Sequence, residues 1–600
     1  MAENNSNVVS ESVRSHVLND ARVMPRAKFA LLGASSLLFI FVAQGFFFIL
    51  VNSQTIDEAT HLAAGYSYLA TSDFRLDPEH PPLIKELQTV PLFFLYRLPF
   101  EPDSRQWQDA DSYRIGQDFV YRSRIPADQI LLLSRLSNLF LGVLLVALIG
   151  WWAYRLWGVR AAVLAMALAS FEPNLIAHSS LVTTDVGVTL FVFLALYLLW
   201  EYQNFPTWSR LGATGFATGM ALVSKFSSLL LIPALGLTIA MPILLDKMAF
   251  IFFWKEKQIA PRQELTQAGT LFLMILFFAV LTIPSAYLFQ GYRPWISGLQ
   301  HFMTIAEEGR PAFLAGEYSS HGLWSYFIFS FLIKTPLGSL ILIAASLVFY
   351  RAGRPLARRE AIFLLVPVLI FFIATTQAKV NIGIRHILLV YPFLFVLASR
   401  LATIRLSRTW LAPTLVGALV LFTVLSSLRI APHQLAYFNE SIGGPEQGYR
   451  YLSDSNLDWG QDLKGLKAYI EREKLPIIYL SYFGTAPPAY YGIRYQDVAS
   501  KGSLTQPPLD RVPENAPRKI LAISVYNLQD VSRPNDPLFR WLWVRQPVAK
   551  IGYSIFIYDL TNDPEGLMKL EEIYVKAGIQ GMSLRSWPVR VDSSGQPFTA

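Results

Sequence analysis

Long apolar stretches recur along this 600-residue chain and constrain its fold more than any other feature. Each is close to the roughly 20 residues that a helix needs to cross a bilayer. A helix can cross because it satisfies its backbone hydrogen bonds internally. Mean hydropathy is +0.36, 53% of the residues are apolar and only 16% are charged, which argues against a set of soluble domains. The stretches lie near residues 29–51, 130–155, 159–177, 182–201, 209–224, 226–245, 267–289, 324–350, 361–376, 384–401 and 409–429. We therefore expect a polytopic α-helical membrane protein with about eleven transmembrane helices.

The charges and the absence of cysteine narrow the function classes. The net charge of +8 is concentrated in short loops between apolar stretches, as orientation signals are, so we do not expect nucleic acid as a partner. The chain has no cysteine, which excludes disulfides and cysteine-ligated metals. The first apolar stretch lacks the small-residue cleavage site of a removable signal peptide and is interpreted as a retained helix.

Basic residues predict the orientation in the membrane. They precede the first stretch and recur in later loops near 247–262, 351–359 and 400–408. An odd number of helices puts all of them on one side, which the positive-inside rule makes cytoplasmic. Residues 1–28 are then a cytoplasmic segment and 29–430 the transmembrane domain. The large first loop 52–129, the loop 290–323 and the chain beyond 430 lie on the outer face.

The tail over residues 431–600 differs in kind from the rest. It contains strand-like runs (PIIYLSYFG, KILAISVYNL and AKIGYSIFIYDL) and one helix-like run, DWGQDLKGLKAYIEREK. These predict an extracytoplasmic α/β domain. Within DWGQD, Asp458 and Gln461 have the spacing of a helix N-cap and its reciprocal partner, so we expect them to cap a helix.

Two adjacent acids, Asp57 and Glu58, stand where the first helix leaves the membrane, within IDEATHLAAGYSYLATSDFRLDPEHPPLIKE (56–86). A carboxylate there can act as a general base toward a hydroxyl group or as a metal ligand. The simpler alternative is that two acids merely end the span in water. The residues that follow have helical and then amphipathic spacing, which predicts that the loop folds back onto the membrane surface.

Cations at the outer ends of the apolar stretches are unexpected under the positive-inside rule. Each alone is typical of an interfacial side chain that reaches toward water. Together they indicate a pocket for an anionic headgroup, with a lipid phosphate as the natural ligand. The candidate substrate-binding residues are His80, Lys85, Lys225, Lys334, Lys379, Arg385 and His386.

A further acid, Asp185, lies at the outer turn between two apolar stretches. With Asp57 and His178 it could hold a divalent metal cation, although a histidine at a turn is ordinarily just solvated. The sequence therefore names no certain cofactor and leaves a divalent cation as one alternative. Asp185 joins Asp57 and Glu58 as the candidate catalytic residues.

The acid pair followed by EHPPLIKEL resembles the first-loop signature of protein O-mannosyltransferases and their bacterial relatives in glycosyltransferase family 39. LVSKFSSLLLIP and GIRHILLVYPFLFVLASRL are similar to family segments more loosely. The resemblance covers residues 29–430 in layout. The carbohydrate-binding MIR-type pattern of some family members is not apparent, and the tail has no counterpart by motif. The resemblance implies the C-type glycosyltransferase fold.

The resemblance also implies a reaction. The donor would be a sugar on a polyprenyl phosphate used from the outer leaflet, the acceptor a hydroxyl of a protein, lipid or glycan, and the location a bacterial inner membrane. Asp57 would be the base of an inverting displacement, and Lys85, Lys225 and Arg385 would hold the lipid phosphate. The alternative from another class is a transporter or flippase for a lipid-linked sugar. It would use the same cations without a base, but the sequence shows no repeated halves of the kind transporters have.

The orientation can be tested by single cysteines in this cysteine-free chain. We expect an impermeant thiol reagent added outside intact cells to label Ala110→Cys, in the first loop, and to spare Lys255→Cys, in a basic loop. Labelling of position 255 but not position 110 would contradict the orientation.

Overall fold

The computed structural model of the protein describes residues 31–100, 104–252, 261–352, 354, 356–404, 410–501 and 510–576. Two features predicted from the sequence, the cytoplasmic segment 1–28 and the basic positions 255–257, lie outside these residues. The described chain forms two compact units divided between Leu457 and Asp458. The first is mainly helical and the second contains a β-sheet, so the predicted combination of a helical membrane domain and a C-terminal α/β domain is confirmed.

The N-terminal unit consists of helices joined by short turns, with one small hairpin. Its helices are α1 (Leu31–Val51), α2 (Glu58–Thr71), α3 (Leu83–Tyr96), α4 (Arg105–Gln108), α5 (Ser112–Tyr121), α6 (Ala127–Trp157), α7 (Val159–Ser170), α8 (Pro173–Ser179), α9 (Asp185–Asn204), α10 (Trp208–Leu222), α11 (Leu231–Phe252), α12 (Pro261–Ala286), α13 (Arg293–Glu308), α14 (Tyr326–Lys334), α15 (Leu337–Val348), α16 (Arg358–Thr375), α17 (Val390–Ser399) and α18 (Leu411–Ile430). The hairpin pairs β1 (Ala312–Leu314) with β2 (Glu317–Ser319). Single 3₁₀ turns cover Phe226–Leu230, Ile384–Ile387 and several positions beyond α18.

By length and apolar composition, six helices among the described residues can cross a membrane, or up to eight if each of two bent helix pairs forms one span. The pairs are α7 with α8, bent by 67°, and α14 with α15, bent by 111°. A proline at or beside each break explains the bend, because proline lacks the amide that would continue the helix. The chain is a multi-pass membrane protein, as predicted.

The span count is lower than the eleven predicted from the sequence. Three of the predicted stretches form helices that fall short of the criteria for a span. Helix α10 has 15 residues, α17 has 10, and α16 begins with three charged residues. A run of apolar residues does not distinguish a spanning helix from a shorter buried helix, so the sequence counts these three stretches whereas the length and composition criteria do not.

The segment between α1 and α6, called the first loop below, is itself a packed helical layer. Helices α2 and α3 form where the sequence predicted helical segments, and α5 packs against α2. Aromatic side chains fill the layer, with Tyr66 lying 5.0 Å from Phe119 between ring centres. Two glycines allow the helix backbones to touch. A Cβ on Gly65 would lie 2.3 Å from the carbonyl oxygen of Lys85, and one on Gly116 2.7 Å from the backbone of Ala59.

The C-terminal unit contains a five-stranded mixed sheet in the order β4-β3-β5-β7-β6. Strands β4, β3 and β5 are parallel to one another, whereas β7 is antiparallel to β5 and β6. The strands are β3 (Ile478–Ser481), β4 (Tyr495–Asp497), β5 (Ile520–Ser524), β6 (Ala549–Ile551) and β7 (Ile555–Asp559), and the helices α19 (Leu463–Arg472), α20 (Val525–Leu528) and α21 (Pro564–Lys576). The three strand-like runs thus form strands and the helix-like run contains α19.

The predicted capping pair is wrong. Helix α19 begins at Leu463, beyond both residues. The Asp458 carboxylate instead accepts hydrogen bonds from the amides of Gly460 (3.3 Å) and Tyr526 (3.0 Å), and the Gln461 side-chain oxygen accepts one from the amide of Trp459 (2.8 Å). Both side chains are buried and hold the turn that precedes the helix. Cap spacing alone could not show this, because one partner of Asp458, the amide of Tyr526, is distant in sequence.

We expect Gly65→Ala to destabilise the first loop, because the added methyl group would overlap backbone rather than a movable side chain. Overpacking of this kind costs about 1–3 kcal/mol. The matched control is Gly212→Ala in α10, where a Cβ meets nothing within 4 Å and alanine favours the helix. Thermal unfolding of the two purified variants in detergent should show a lower melting temperature for Gly65→Ala alone. Equal melting temperatures would contradict the close α2–α3 packing.

Candidate active site

Four charged residues that the sequence singled out meet in a continuous chain of ion pairs, called the ion chain below. Lys225 Nζ lies 2.6 Å from Asp185 Oδ1, and Arg385 Nη1 lies 3.6 Å from Asp185 Oδ2 and 3.1 Å from Asp57 Oδ2. The residues come from four separate segments. Asp57 precedes α2, Asp185 begins α9, Lys225 follows α10, and Arg385 lies in the 3₁₀ turn before α17. Only the tertiary fold brings them together.

The side chains of the ion chain differ in their access to solvent. Asp185 is 1% exposed, and Lys225 and Arg385 are each 7% exposed, whereas Asp57 is 23% exposed. Buried charges are stable only when they are paired, and removal of one partner leaves an uncompensated charge. The ion chain therefore holds Arg385 in place from the buried side through Asp185. It presents Asp57 as the carboxylate that an incoming molecule can reach.

Asp454 adds a carboxyl group that the sequence did not single out. It is part-buried and interacts electrostatically with both Arg385 and Asp57. Burial raises the pKa of Asp454 to about 7, although Arg385 acts in the opposite direction. Its backbone has a positive φ of 55°, which aspartate tolerates better than most residues. Asp454 begins a single 3₁₀ turn (Asp454–Asn456), and no sequence pattern would have revealed it.

Glu58, adjacent to Asp57 in sequence, has a different environment. It is fully buried and its two oxygens accept hydrogen bonds from Arg135 Nε (2.8 Å) and Nη2 (2.6 Å). The amides of Thr55 (2.8 Å) and Val182 (2.9 Å) also donate to it. Burial alone would raise the pKa of Glu58, but Arg135 and these amides hold that pKa below its ordinary value. The Glu58–Arg135 pair thus joins α2 to α6 and to the turn before α9.

Lys85 is fully buried, and its ammonium group contacts oxygen atoms of the protein itself. Nζ donates to Asp77 Oδ2 (2.9 Å), to the carbonyls of Asp77 (2.8 Å) and His80 (2.7 Å), and to the Tyr68 hydroxyl (3.0 Å). The cation is therefore matched by local acceptors. Asp77, which the sequence interpretation passed over, is its counterion and stabilises the turn before α3.

The other predicted cations and histidines are spread over several places. Lys334 is buried and donates to the carbonyls of Leu435 and Asn456, and Lys379 is exposed and donates to the carbonyl of Glu307. His386 follows Arg385 directly, and its ring lies 6.1 Å from that of Phe327. His80 Nδ1 lies 3.4 Å from Asp77 Oδ1. Among the predicted pocket residues, Lys225 and Arg385 share a contact with Asp185, and the others make the separate contacts described above.

The metal set proposed from the sequence, Asp57, His178 and Asp185, does not form a ligand cluster in the described part of the chain. The guanidinium group of Arg385 contacts both carboxylates and already supplies a positive charge between them. Within the described residues, one group of histidines and acids brings its ligand atoms within 4.8 Å of one another. It consists of His61, Asp77 and His80.

The fold and the ion chain together define a multi-pass helical membrane protein in which a part-exposed carboxylate contacts a buried arginine, and a buried acid joins that arginine to a buried lysine. The sequence model of the dolichyl-phosphate-mannose-protein mannosyltransferase family matches residues 124–296. This match confirms the predicted resemblance to protein O-mannosyltransferases and, with it, the C-type fold. The matched segment includes Asp185 and Lys225, whereas Asp57 and Arg385 lie outside it.

Solved structures that resemble the chain are distant in sequence. ArnT from Cupriavidus metallidurans bound to undecaprenyl phosphate is 15% identical, with 89% of this chain and 98% of that chain covered and a TM-score of 0.45. The apo state of the same enzyme gives a TM-score of 0.44 at 15% identity, with 88% and 98% covered. The Archaeoglobus fulgidus oligosaccharyltransferase tethered with an acceptor peptide is 11% identical, with 80% and 61% covered and a TM-score of 0.37. No curated protein matches the chain.

Glu86 is a buried acid beside Lys85 and gives the first loop a pH-dependent stability. Its Oε1 has no hydrogen-bond partner among the described residues. Burial raises the pKa of Glu86 to about 7, although Lys85 acts in the opposite direction. Its contribution to stability is therefore complete below its ordinary pKa of 4.5 and is lost as pH rises toward 7.

We expect Glu86→Gln to remove this dependence, since glutamine stays neutral. The wild-type fold should lose about 1.4 kcal/mol per pH unit over that interval through Glu86. Melting temperatures measured at pH 5 and pH 8 should fall more steeply in the wild type than in Glu86→Gln. Glu317→Gln, at an exposed position of β2, should follow the wild type. A Glu86→Gln profile parallel to the wild type would show that Glu86 is ionised throughout.

Proposed function

We propose that the chain is an integral-membrane glycosyltransferase that moves a sugar from a polyprenyl-phosphate donor to a hydroxyl acceptor on the outer face of the membrane. The reaction would be an inverting displacement at the anomeric carbon. One observation carries the proposal, namely that the part-exposed carboxylate of Asp57 contacts Arg385, which Asp185 holds from the buried side. The family match over residues 124–296 supports a lipid-phosphate sugar donor.

Asp57 has the position that a general base requires. An acceptor hydroxyl can reach it from solvent, whereas Asp185 and Glu58 are buried. The acceptor oxygen would bond to the anomeric carbon while its proton passes to Asp57. The bond between that carbon and the phosphate oxygen breaks, and its electron pair leaves with the polyprenyl phosphate.

The leaving phosphate gains negative charge, and the adjacent cations are suited to stabilise it. Arg385 presents a planar guanidinium group that can bind two phosphate oxygens, and Lys225 follows in the ion chain. Both cations are held before the donor arrives, so little reorganisation accompanies the charge development. Arg385 contacts Asp57 and would also bind the phosphate. It would thereby link the base to the leaving group.

The other two acids are better suited to positioning than to proton transfer. Asp185 contacts both cations of the ion chain, and Glu58 is engaged on both oxygens by Arg135 and two amides. Lys85 and His80 would act on the site indirectly, through the turn that contains Asp77. A hexosyl or mannosyl donor, an acceptor on protein, lipid or glycan, and a bacterial inner-membrane location complete the proposal.

The base assignment is tested by Asp57→Asn, which keeps the shape of the side chain and removes its charge. We expect transfer from radiolabelled polyprenyl-phosphate sugars to fall by about 10²–10⁴-fold, as when a positioned general base is lost. Binding of the donor should stay near normal, because the cations remain. The matched control is Asp118→Asn, a part-exposed acid on α5 of the same loop, which should keep wild-type transfer. Wild-type transfer by a folded Asp57→Asn protein would exclude this base, and lipid translocation without transfer would favour a flippase.

The phosphate assignment is tested by substitutions of Arg385. Arg385→Ala should weaken donor binding by about 10–100-fold, the usual contribution of a hydrogen bond to a charged group. Arg385→Lys should recover only part of the affinity if the contact is bidentate. Lys379→Ala removes an exposed cation and should bind the donor normally. Donor affinity unchanged in Arg385→Ala would make Arg385 a structural partner of the two acids.

A further inference from the structure

A second polar cluster lies in the first loop, apart from the ion chain. His61 projects from α2, and Asp77 and His80 come from the turn before α3. The ligand atoms of the three side chains all lie within 4.8 Å of one another. His61 and Asp77 are nearly fully buried, and the His80 side chain is 19% exposed. Imidazole nitrogens and a carboxylate oxygen thus converge at one place near the edge of the loop.

The orientation of His61 is fixed by a hydrogen bond on the far side of its ring. Its Nδ1 lies 3.0 Å from the carbonyl oxygen of Val182. A carbonyl can only accept, so Nδ1 carries the hydrogen and, in a neutral ring, Nε2 carries a lone pair. Nε2 lies 3.8 Å from Asp77 Oδ2. Two acceptors this close repel each other, and a metal ion or a proton shared between them would relieve the repulsion. A ring nitrogen bound to a carbonyl is also the usual support of a metal-binding histidine.

A second distance in the cluster agrees with shared coordination. His80 Nδ1 lies 3.4 Å from Asp77 Oδ1. Two ligands of one tetrahedral Zn²⁺, each bonded at about 2.0–2.1 Å, lie about 3.3 Å apart. Lys85 donates to Asp77 Oδ2 and would orient the carboxylate from outside, as hydrogen-bond donors around metal-bound carboxylates do. Oδ1 of Asp77 is the oxygen that faces His80.

We propose that His61, Asp77 and His80 bind one divalent transition-metal ion of the Zn²⁺ class. Two imidazole nitrogens and one carboxylate oxygen favour Zn²⁺ over Mg²⁺ or Ca²⁺, which prefer oxygen ligands alone. The ion would fasten the turn before α3 to α2, one helical turn from Asp57, since the amide of His61 donates to the carbonyl of Asp57 at 3.0 Å. The site is separate from the set Asp57, His178 and Asp185 and does not depend on the proposed glycosyl transfer.

Metal binding can be measured without donor or acceptor. The untagged full-length protein in detergent is stripped with a chelator and dialysed against Zn²⁺ alone or Mg²⁺ alone, and bound metal is counted by mass spectrometry. Because the chain has no cysteine, thiolate sites cannot contribute. We expect about one Zn²⁺ per chain, no stoichiometric Mg²⁺, and a rise in melting temperature with Zn²⁺. Cobalt(II) in place of zinc should give the visible absorption of a tetrahedral nitrogen and oxygen site.

The variants His61→Gln and His80→Gln each remove one ligand. Both should bind Zn²⁺ at least tenfold more weakly, because even loss of an outer-shell partner costs about 10–100-fold. They should also lose the rise in melting temperature. His301→Gln, at an exposed position of α13, should behave as the wild type. Zn²⁺ binding unchanged in both variants, or no stoichiometric Zn²⁺ and no tetrahedral cobalt spectrum in the folded wild type, would overturn the proposal. The latter result would mean that a proton separates His61 from Asp77.

Discussion

The placement of Arg385 against two carboxylates is the interaction on which the candidate site depends. An arginine side chain that is 7% exposed needs counterions, and Asp57 and Asp185 supply them at 3.1 and 3.6 Å. Because Asp185 also holds Lys225, the two cations and two acids form one unit drawn from four segments. The unit has a buried end and a part-exposed end. The buried acid, Asp185, can position the cations, whereas the part-exposed acid, Asp57, can meet a substrate.

The first loop supports this unit from one side through further buried charges. Glu58 and Arg135 fix the start of α2, directly beside Asp57. Lys85 and Asp77 fix the turn before α3. Each pair is hydrogen-bonded to backbone groups as well, which is the condition under which a buried ion pair is stable. The polar residues of this loop thus act mainly as structural supports, and the proposed zinc ligands lie among them.

The sequence predicted the helical membrane fold, the C-terminal α/β unit, and four residues that meet in the ion chain. Hydrophobic length and strand-like runs carry those predictions, because they depend on local composition. The sequence did not predict which residues pair with the charged residues of the site. Arg135 lies within an apolar stretch, Asp77 within a short turn, and Asp454 at the start of a 3₁₀ turn, and no periodic pattern identifies any of them. Asp57 and Glu58 are adjacent in sequence, and only tertiary contacts distinguish their roles. The sequence counts more spans than the length and composition criteria do for a related reason, since hydropathy along the chain does not reveal which apolar helices are short or bent.

The central claim is that this arrangement performs an inverting sugar transfer from a lipid phosphate. It is tested most directly by the stereochemistry of the product. Wild-type protein in vesicles would be given polyprenyl-phosphate sugars of known anomeric configuration with a mixture of hydroxyl acceptors, and the glycosidic product examined by NMR. A single displacement with Asp57 as base and Arg385 beside the phosphate predicts a product of the opposite configuration to the donor. A product that retains the donor configuration, or vesicles that translocate the lipid and form no product, would contradict the claim.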